Sequence, residues 1–141
     1  MSVEVTKFAQ SVGAVDLKQL FDYSEYHGLF QQRNYFMVGN DKFLIIKISR
    51  SKIRPFYGLG KKFYDLFNNL TKKAGTYYFV ALASSESGWV LSKNQLMNQI
   101  SNGSLSFSEE QGQYKINNYN LKDQDSFTSA QGFLKKIGVV R

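Results

Sequence analysis

The chain has 141 residues, of which 43% are hydrophobic and 16% aromatic, and its formal net charge at pH 7 is +7. This composition predicts one folded domain over residues 1–141 and excludes a disordered chain, which lacks so much apolar content. The sequence has no cysteine and one histidine, which excludes disulfide frameworks and zinc sites built from cysteine or several histidines. No apolar run approaches the roughly 18 residues of a membrane-spanning helix, and the first residues lack a secretory signal pattern, so we expect a cytoplasmic protein with no membrane partner.

The first part of the chain predicts helix and then a strand hairpin. Residues 4–27 carry apolar residues at helical spacing, and Asp16 is placed to cap the second part of this region. Residues 29–38 have strand character, and the Gly-Asn-Asp sequence at 39–41 is a turn that closes a hairpin with the next strand. That next strand, residues 42–49, has a continuous apolar centre, which is typical of a buried central strand.

The middle of the chain predicts a helix between two buried strands. Residues 51–57, which include the only proline, form a loop, and residues 58–73 have the apolar spacing of an amphipathic helix. Gly75 is suited to end this helix, because the residue just after a helix often has a positive φ. Residues 76–84 are the second buried strand, and a helical connection between two such strands pairs them in parallel.

The last third of the chain predicts shorter elements. They are a strand over residues 89–91, a helix over 93–100 capped by Ser92, a hairpin that pairs 105–107 with 114–116, and a final helix over 126–137. The order of all these elements predicts an α/β fold, in which helices flank a mixed β-sheet.

The positive charge is concentrated between residues 42 and 73, a stretch that we call the basic segment. Its cations are Lys42, Lys47, Arg50, Lys52, Arg54, Lys61, Lys62, Lys72 and Lys73. Its one acid is Asp65, so the segment has a net charge of +8 and the remainder of the chain a net of −1. Aromatic residues lie among these cations, and such a cationic field favours a polyanionic partner, nucleic acid first. The alternative is a solvated basic surface with no ligand.

The GLGK sequence at positions 58–61 has the residues of a phosphate-binding loop but not the spacing. A Walker A loop needs glycine at position 55 and serine or threonine at position 62, where this chain has Pro55 and Lys62. We expect the two glycines to begin the helix and to let it lie close to a strand. A helix amino terminus beside Lys61 and Lys62 could still bind one backbone phosphate.

Lys47 interrupts an otherwise apolar strand. Alternation places Phe43, Ile45, Lys47 and Ser49 on one face, and Leu44, Ile46, Ile48 and Arg50 on the other. An ammonium group is costly to bury. Lys47 therefore either extends to solvent from the end of the strand or is a catalytic or phosphate-binding residue at a cleft.

Several segments of the chain match a known arrangement: RNYFMV at positions 33–38, FLIIKISRSK at 43–52, the helix that follows, and YYFVALAS at 77–84. Over about residues 16–100 the chain resembles the PD-(D/E)XK nuclease superfamily, which includes restriction endonucleases and archaeal Holliday-junction resolvases. The resemblance implies a restriction-endonuclease-like sheet. In that family two carboxylates hold a divalent cation, and the lysine of an acid-x-Lys triplet orients the attacking water or stabilises the phosphorane charge.

Residue by residue, the resemblance makes Lys47 the family's lysine and Glu25 the helix glutamate that often assists it. Asn34 falls where the family has its upstream aspartate, and Ile45 falls where it has the acid of the triplet. Isoleucine cannot bind a metal ion, and a neutral asparagine is a weaker ligand than a carboxylate. Asp41 is about 13 Å from Ile45 along an extended strand, so it can substitute only if the strand bends. The resemblance thus implies a nuclease scaffold with a degenerate metal site, and no metal ligand is assigned.

These features favour a nuclease-like domain that binds nucleic acid, DNA before RNA, without efficient catalysis. The residues expected to contact phosphates are Lys47, Arg50, Lys52, Arg54, Lys61 and Lys62. So small a domain could act as a homodimer or beside a partner subunit with an intact site. A second hypothesis is an active, Mg²⁺-dependent endonuclease in which Lys47, Glu25 and Asn34 are catalytic and Asp41 or Asp65 supplies a carboxylate in a rearranged site. A third is a module that binds an acidic partner protein.

Overall fold

A computed structural model describes residues 2–17, 35–49 and 55–139 of the chain. These ranges contain four α-helices: Val3–Ser11 (α1), Lys61–Leu70 (α2), Lys93–Ser101 (α3) and Ala130–Lys136 (α4). They also contain nine strands: Val15–Asp16 (β1), Tyr35–Val38 (β2), Lys42–Ile48 (β3), Phe56–Gly60 (β4), Thr76–Leu82 (β5), Gly88–Ser92 (β6), Ser106–Ser108 (β7), Gln113–Asn117 (β8) and Ser126–Phe127 (β9). Two short 3-10 helices, Asn118–Asn120 and Asp123–Asp125, lie between β8 and β9. Among the described residues, no helix is both long and apolar enough to cross a membrane.

Six strands form the main sheet, in the order β1-β2-β3-β5-β6-β9. β3 is antiparallel to β2 and parallel to β5, from Lys42 opposite Thr76 to Ile48 opposite Leu82. β6 and β9 extend the sheet by antiparallel pairing. The β2–β3 hairpin, the parallel β3–β5 pair and the α/β class with a mixed sheet flanked by helices are as the sequence predicts.

Three further strands form a small sheet in the order β4-β8-β7, and both of its pairings are antiparallel. The predicted hairpin of β7 and β8 is confirmed. The prediction of a loop and a helix start over residues 56–60 is wrong, because these residues pair with 113–117 of β8. Large residues and glycine alternate from Tyr57 to Gly60, and the burial of Tyr57 and Leu59 shows which face of the strand lies in the core.

The main sheet is covered on both faces. On one face α1 and α4 pack through Phe8 and Phe133, whose ring centres lie 4.9 Å apart. On the other face α2, α3 and the small sheet build a second buried cluster around Phe67. β3 divides its side chains as the alternation predicts, with Leu44 and Ile46 in the first cluster and Phe43 and Ile45 in the second.

One apolar stripe holds α2 against the main sheet. Phe63, Leu66 and Phe67 are buried, and the last two lie three and four residues after the first, the spacing of one helix face. Gly60 is both the last residue of β4 and the N-cap of α2. The sequence predicts this helix over residues 58–73, whereas α2 spans Lys61–Leu70, so the predicted helix is too long at both ends.

Gly75 has a positive φ of 84°, but it lies in the turn before β5 rather than directly after α2. A side chain at this position would come within 2.8 Å of the backbone oxygen of Asp41. The amide of Thr76 donates to the same oxygen at 2.9 Å. The glycine therefore lets the turn before β5 approach the β2–β3 turn, at the amino ends of the parallel strands.

The helix predicted over residues 4–27 is interrupted. α1 ends at Ser11, and Val15 and Asp16 pair with β2 as a short edge strand. The rest of this predicted helix and the first part of the predicted strand before the hairpin lie outside the described residues.

The last third of the chain follows the sequence prediction more closely. α3 has the predicted cap, since Ser92 Oγ accepts from the amide of Gln95 and Gln95 Oε1 accepts from the amide of Ser92. The helix predicted over 126–137 begins only at Ala130, because β9 first pairs with β6.

Two tyrosines of the second cluster have their hydroxyl groups in the interior. Tyr77 Oη donates to Asn68 Oδ1 at 2.8 Å, and Tyr57 Oη donates to the backbone oxygen of Leu82 at 3.1 Å. Burial raises the pKa of both phenols above the ordinary value of 10.0, because a phenolate would lose its hydration there.

We expect these two phenols to weaken folding at high pH. The unfolded chain releases the two phenolic protons near pH 10, whereas the folded protein releases them only at higher pH. Below about pH 9 both states keep these protons, so the free energy of unfolding does not depend on them. Above this pH the free energy of unfolding falls as the pH rises. Tyr77→Phe should lessen the loss between about pH 9 and 11 by up to about 1 kcal/mol, as measured by urea unfolding. Tyr119→Phe is the matched control, because Tyr119 is 64% exposed. The same pH dependence in both variants would contradict the expectation.

Candidate nucleic-acid interface

Lys47 lies near the carboxyl end of β3, at the edge where the parallel β3–β5 pair ends. Its side chain is half-buried, with Nζ 5.7 Å from the centre of the Tyr35 ring. On the same face of β3, Ile45 is fully buried and lies opposite Tyr35 of β2 and Phe79 of β5. This face of the strand thus changes from core to surface at Lys47. The carboxyl edge of parallel strands is also where open α/β sheets bind ligands.

A pair of aromatic rings connects Lys47 to the start of α2. The ring centres of Tyr35 and Phe63 lie 5.1 Å apart, and Lys62 Nζ lies 5.3 Å from the centre of the Phe63 ring. A cation over a ring face is attracted by the ring quadrupole, by about 0.5–1 kcal/mol at an exposed site. The fold thus places two lysines from different elements beside the two rings of one pair. We call Tyr35, Lys47, Lys62 and Phe63 the lysine edge.

Lys61, on the first turn of α2, pairs with Asp65. Its Nζ lies 2.8 Å from Asp65 Oδ2, and the two side chains are 55% and 53% exposed. The hydrogen bond to Asp65 and the charge of that carboxylate raise the pKa of Lys61, so Lys61 keeps its charge. The carboxylate offsets part of that charge, and Lys61 therefore attracts a phosphate less strongly than Lys62 does.

The amino terminus of α2 is only partly open to an anion. The amide of Lys61 donates to the backbone oxygen of Gly112 at 2.9 Å, in the turn between β7 and β8. Gly58 lies within β4, where the side chain of Gln113 covers it. The expectation that both glycines begin the helix is therefore wrong, and at least one amide of the first turn is already bonded.

Other lysines of the basic segment lie at the opposite edge of the main sheet. Lys42 begins β3 and pairs with Asp41 at 3.3 Å. Lys72 and Lys73 are exposed and follow the carboxyl end of α2, shortly before β5. Because β3 and β5 are parallel, their amino ends share one edge and Lys47 lies at the other. The charge that is concentrated in the sequence is therefore divided between two edges.

Five predicted site residues lie outside the described residues: Glu25, Asn34, Arg50, Lys52 and Arg54. The last three fall between Ser49 and Pro55, in a part of the chain that follows Lys47. The amide of Phe56 donates to Ser49 Oγ at 3.2 Å, so the described residues on the two sides of 50–54 are in contact. The chain therefore leaves and re-enters the described structure close to Lys47.

Ile45 occupies the position where the nuclease resemblance places a metal-binding acid, and it is 0% exposed. The acids Asp41 and Asp65 each pair with a lysine instead. Within residues 2–17, 35–49 and 55–139, no three side chains of His, Cys, Asp or Glu are grouped closely enough to hold a metal ion. The two other nuclease positions that the resemblance nominates, 25 and 34, fall outside these ranges.

The sequence reasoning misses one exposed surface, on the small sheet. Phe56 is 44% exposed, and Lys115 Nζ lies 5.6 Å from the centre of its ring. Tyr119, just after β8, is 64% exposed. The available signal is the alternation in FYGLG and in QYKIN, which puts Phe56 and Lys115 on one side once the two strands pair.

Comparisons with known protein families, with curated proteins and with solved structures found no significant match. The resemblance to the PD-(D/E)XK nuclease superfamily therefore stays a prediction from the sequence. The function has to be inferred from the charge, burial and geometry of the lysine edge and of the small sheet.

Proposed function

We propose that this protein binds nucleic acid, DNA before RNA, through backbone phosphates at the lysine edge. The observation that carries the proposal is the placement of Lys47 and Lys62 beside the Tyr35–Phe63 ring pair. Each of these two cations, from separate elements, lies beside one ring of the pair at the carboxyl edge of the parallel strands, a common position for ligands in α/β sheets.

Further cations of the basic segment can act at the same edge. The expected phosphate contacts are Lys47, Arg50, Lys52, Arg54, Lys61 and Lys62. The hydrogen bond between Phe56 and Ser49 brings together the described residues on the two sides of positions 50–54. Duplex DNA carries about one negative charge per 1.7 Å of its axis, so several closely spaced cations can each find a phosphate.

Lys47 and Lys62 are also partly ordered before any ligand arrives. A lysine that moves freely in solvent loses rotamer freedom when it contacts a phosphate, and this loss reduces affinity. Lys47 is half-buried against Tyr35, and Lys62 lies over Phe63, so both have lost part of that freedom on folding. Each contact should therefore contribute more than one made by a fully exposed lysine such as Lys7.

The proposal assigns binding rather than cleavage to this edge. A hard cation such as Mg²⁺ is held by oxygen ligands, usually one or two carboxylates. Ile45 supplies an apolar side chain, buried in the core, at the position of one of them. We infer a nuclease-like domain with a degenerate metal site that binds in the cytoplasm, as a homodimer or beside a catalytic partner subunit.

Binding to duplex DNA should weaken steeply as salt increases. Four to six phosphate contacts, at about −0.9 each, give a slope of log affinity against log salt of about −4 to −5. Lys47→Gln combined with Lys62→Gln should weaken binding and reduce the size of the slope by about 2. Fluorescence anisotropy titrations between about 50 and 200 mM salt measure both effects.

The matched control is Lys7→Gln combined with Lys135→Gln, which removes the same charge from α1 and α4 on the opposite face of the main sheet. This control should keep the slope of the unmodified protein. If both double variants lost the same amount of DNA affinity, the lysine edge would not be the binding surface. A flat salt dependence, or no binding at low salt, would favour the module that binds an acidic partner protein.

If the edge binds without cleaving, the purified protein should leave plasmid DNA, branched DNA and RNA intact in Mg²⁺ or Mn²⁺, as judged on gels. Glu25→Gln and Lys47→Ala distinguish its own activity from that of a contaminating nuclease, which neither change affects. Cleavage that disappears in both variants would establish the endonuclease hypothesis, with Lys47, Glu25 and Asn34 as its catalytic residues.

The nuclease resemblance can be tested by restoring two acids. Ile45→Glu combined with Asn34→Asp should lower the melting temperature, because a carboxylate at position 45 is buried in the core. If the two carboxylates converge, Mn²⁺ binds the folded form and restores stability, by about 2.7 kcal/mol at a hundred times its Kd. Thermal melts with and without Mn²⁺ measure this recovery.

Leu44→Glu is the matched control for a buried carboxylate. Leu44 is 0% exposed like Ile45, but it faces the cluster of α1 and α4. This variant should be destabilised with no recovery in Mn²⁺. If the double variant folds, as circular dichroism would show, and its melting temperature does not respond to Mn²⁺, then positions 34 and 45 do not converge and the resemblance is wrong.

A further inference from the structure

The small sheet has one face in the core and one in solvent. Tyr57 and Ile116 lie opposite each other in the β4–β8 pairing and are 3% and 0% exposed. Their sequence neighbours Phe56 and Asn117 also lie opposite each other, so they point to the other face. Lys115 shares that outer face, with its Nζ 5.6 Å from the centre of the Phe56 ring. The outer face thus presents a 44% exposed ring beside a cation.

Tyr119 extends this surface beyond the end of β8. Asn117 Nδ2 donates to Tyr119 Oη at 3.1 Å, which ties the phenol to the outer face. The Tyr119 side chain is 64% exposed, and Lys122 Nζ donates to its backbone oxygen at 3.0 Å. Two exposed rings are therefore adjacent to Asn117, each with a lysine nearby. We call Phe56, Lys115, Asn117, Tyr119 and Lys122 the aromatic platform.

A pocket of about 380 Å³ adjoins the platform. It is lined by Gln99, Ser104, Tyr119, Asn120 and Lys122. Asn120 has a structural role, because its Oδ1 accepts from the amide of Asn117 and its Nδ2 donates to the backbone oxygen of Ser104. Gln99 differs, since its Oε1 is buried and accepts no hydrogen bond from the described residues. A buried acceptor without a donor is unfavourable, and because Gln99 lines the pocket, a rotation of its amide can bring Oε1 to a ligand that carries an N–H or O–H group.

Nucleotides carry the complement of each of these features: a planar base that stacks on a ring, a phosphate that attracts lysine, and donors on the base edge. We propose that the aromatic platform binds single-stranded nucleic acid. One base stacks on Phe56, and the next stacks on Tyr119 and donates from its edge to Gln99. Lys115 and Lys122 contact the phosphates. The inference rests on the proposed function and adds to it a second surface and the single-stranded form of the ligand.

Single strands fit this surface better than the competing ligands do. In a duplex each base is already stacked between its neighbours, so its face cannot reach side chains on a sheet, whereas single-stranded bases can be splayed onto aromatic residues. A neutral sugar would stack on exposed rings but would gain little from the two ammonium groups. An acidic peptide would gain from the lysines but not from the rings.

The charge around the platform is modest. Glu109 and Glu110 lie in the turn between β7 and β8, at the opposite end of β8 from Asn117. Asp123 is exposed next to Lys122 and offsets one of the two lysines of the platform. Stacking should therefore supply most of the affinity, and binding at the platform should depend less on salt than binding at the lysine edge.

The test compares single-stranded and duplex DNA of about 12 nucleotides by fluorescence anisotropy at fixed salt. Phe56→Leu combined with Tyr119→Leu keeps apolar side chains but removes both rings. It should weaken single-strand binding at least about tenfold and change duplex binding less than about twofold. Phe107→Leu is the matched control, because Phe107 is 40% exposed in the same sheet but packs against Tyr114, with ring centres 4.9 Å apart. It should leave both affinities unchanged.

The outcomes separate this inference from the proposed function. Equal losses on the two DNA forms, or an equal loss in the control, would overturn the platform. An unmodified protein that binds duplex but no single strand would also overturn it and leave the lysine edge standing. Single-strand binding that needs the rings, in a protein whose duplex binding needs neither Lys47 nor Lys62, would support the platform and remove the lysine edge. Binding of neither form would overturn both.

Gln99→Met tests the pocket, because methionine has a similar length and is only a weak acceptor. If a base donates to Gln99, this variant should bind the single strand about fivefold more weakly. Its melting temperature without DNA should be unchanged or higher, because the change removes a buried acceptor that lacks a donor. Unchanged single-strand binding would overturn the placement of a base in the pocket.

Discussion

The parallel pairing of β3 with β5 is the constraint on which the arrangement of the whole surface depends. Parallel strands cannot be joined by a tight turn, so the chain between them has to return from the carboxyl edge of the sheet to the amino edge. In this protein β4 and α2 make that return. The start of α2, with Lys62, is therefore close to Lys47, while Lys72 and Lys73 lie near the opposite edge. The topology, rather than the order of charges along the chain, decides which cations can meet one ligand.

The same pairing explains why Ile45 and Lys47 differ although they share a face of one strand. At Ile45, β3 pairs with a strand on each side and the side chain belongs to the second buried cluster, so it is excluded from solvent. Two residues later β3 approaches the end of its pairing, and the Lys47 side chain reaches the surface past Tyr35. A shift of the strand register by two residues would bury the ammonium group and expose the isoleucine. Register therefore controls the chemistry of this edge as much as residue type does.

Sequence patterns predict the elements whose signals are local. The predictions of β3, β5, the turn at residues 39–41 and the Ser92 cap are confirmed. Each of these elements is specified by residues that are neighbours in the sequence. Residues 56–60 show the limit, since their apolar positions fit both a helix that continues to Leu70 and a strand. Pairing with residues 113–117 decides between them, and nothing near residue 56 in the sequence reports that partner.

The candidate sites follow the same division. The sequence nominates Lys47, which interrupts an apolar strand, and Lys62, which belongs to the basic segment. Their placement beside one ring pair joins residues of β2, β3 and α2 and depends on tertiary structure. Phe56 and Tyr119 are harder to nominate from the sequence, because their exposure depends on how β4 pairs with β8. The sequence assigns residues 56–60 to a loop and a helix start rather than to a strand, and this error is enough to hide the platform.

Gly60 ends β4 and caps α2, so no linker separates the small sheet from the helix that carries Lys62. The hydrogen bond from the amide of Lys61 to the backbone oxygen of Gly112 is a second connection between α2 and the small sheet. If both proposed surfaces bind nucleic acid, they form a bivalent receptor in which the fold fixes the distance between them. For a ligand long enough to reach both, the second contact is intramolecular, and its effective concentration replaces the bulk concentration. Such a receptor discriminates ligands by length: short ones occupy a single surface with weak affinity, and those that span the gap are retained by avidity.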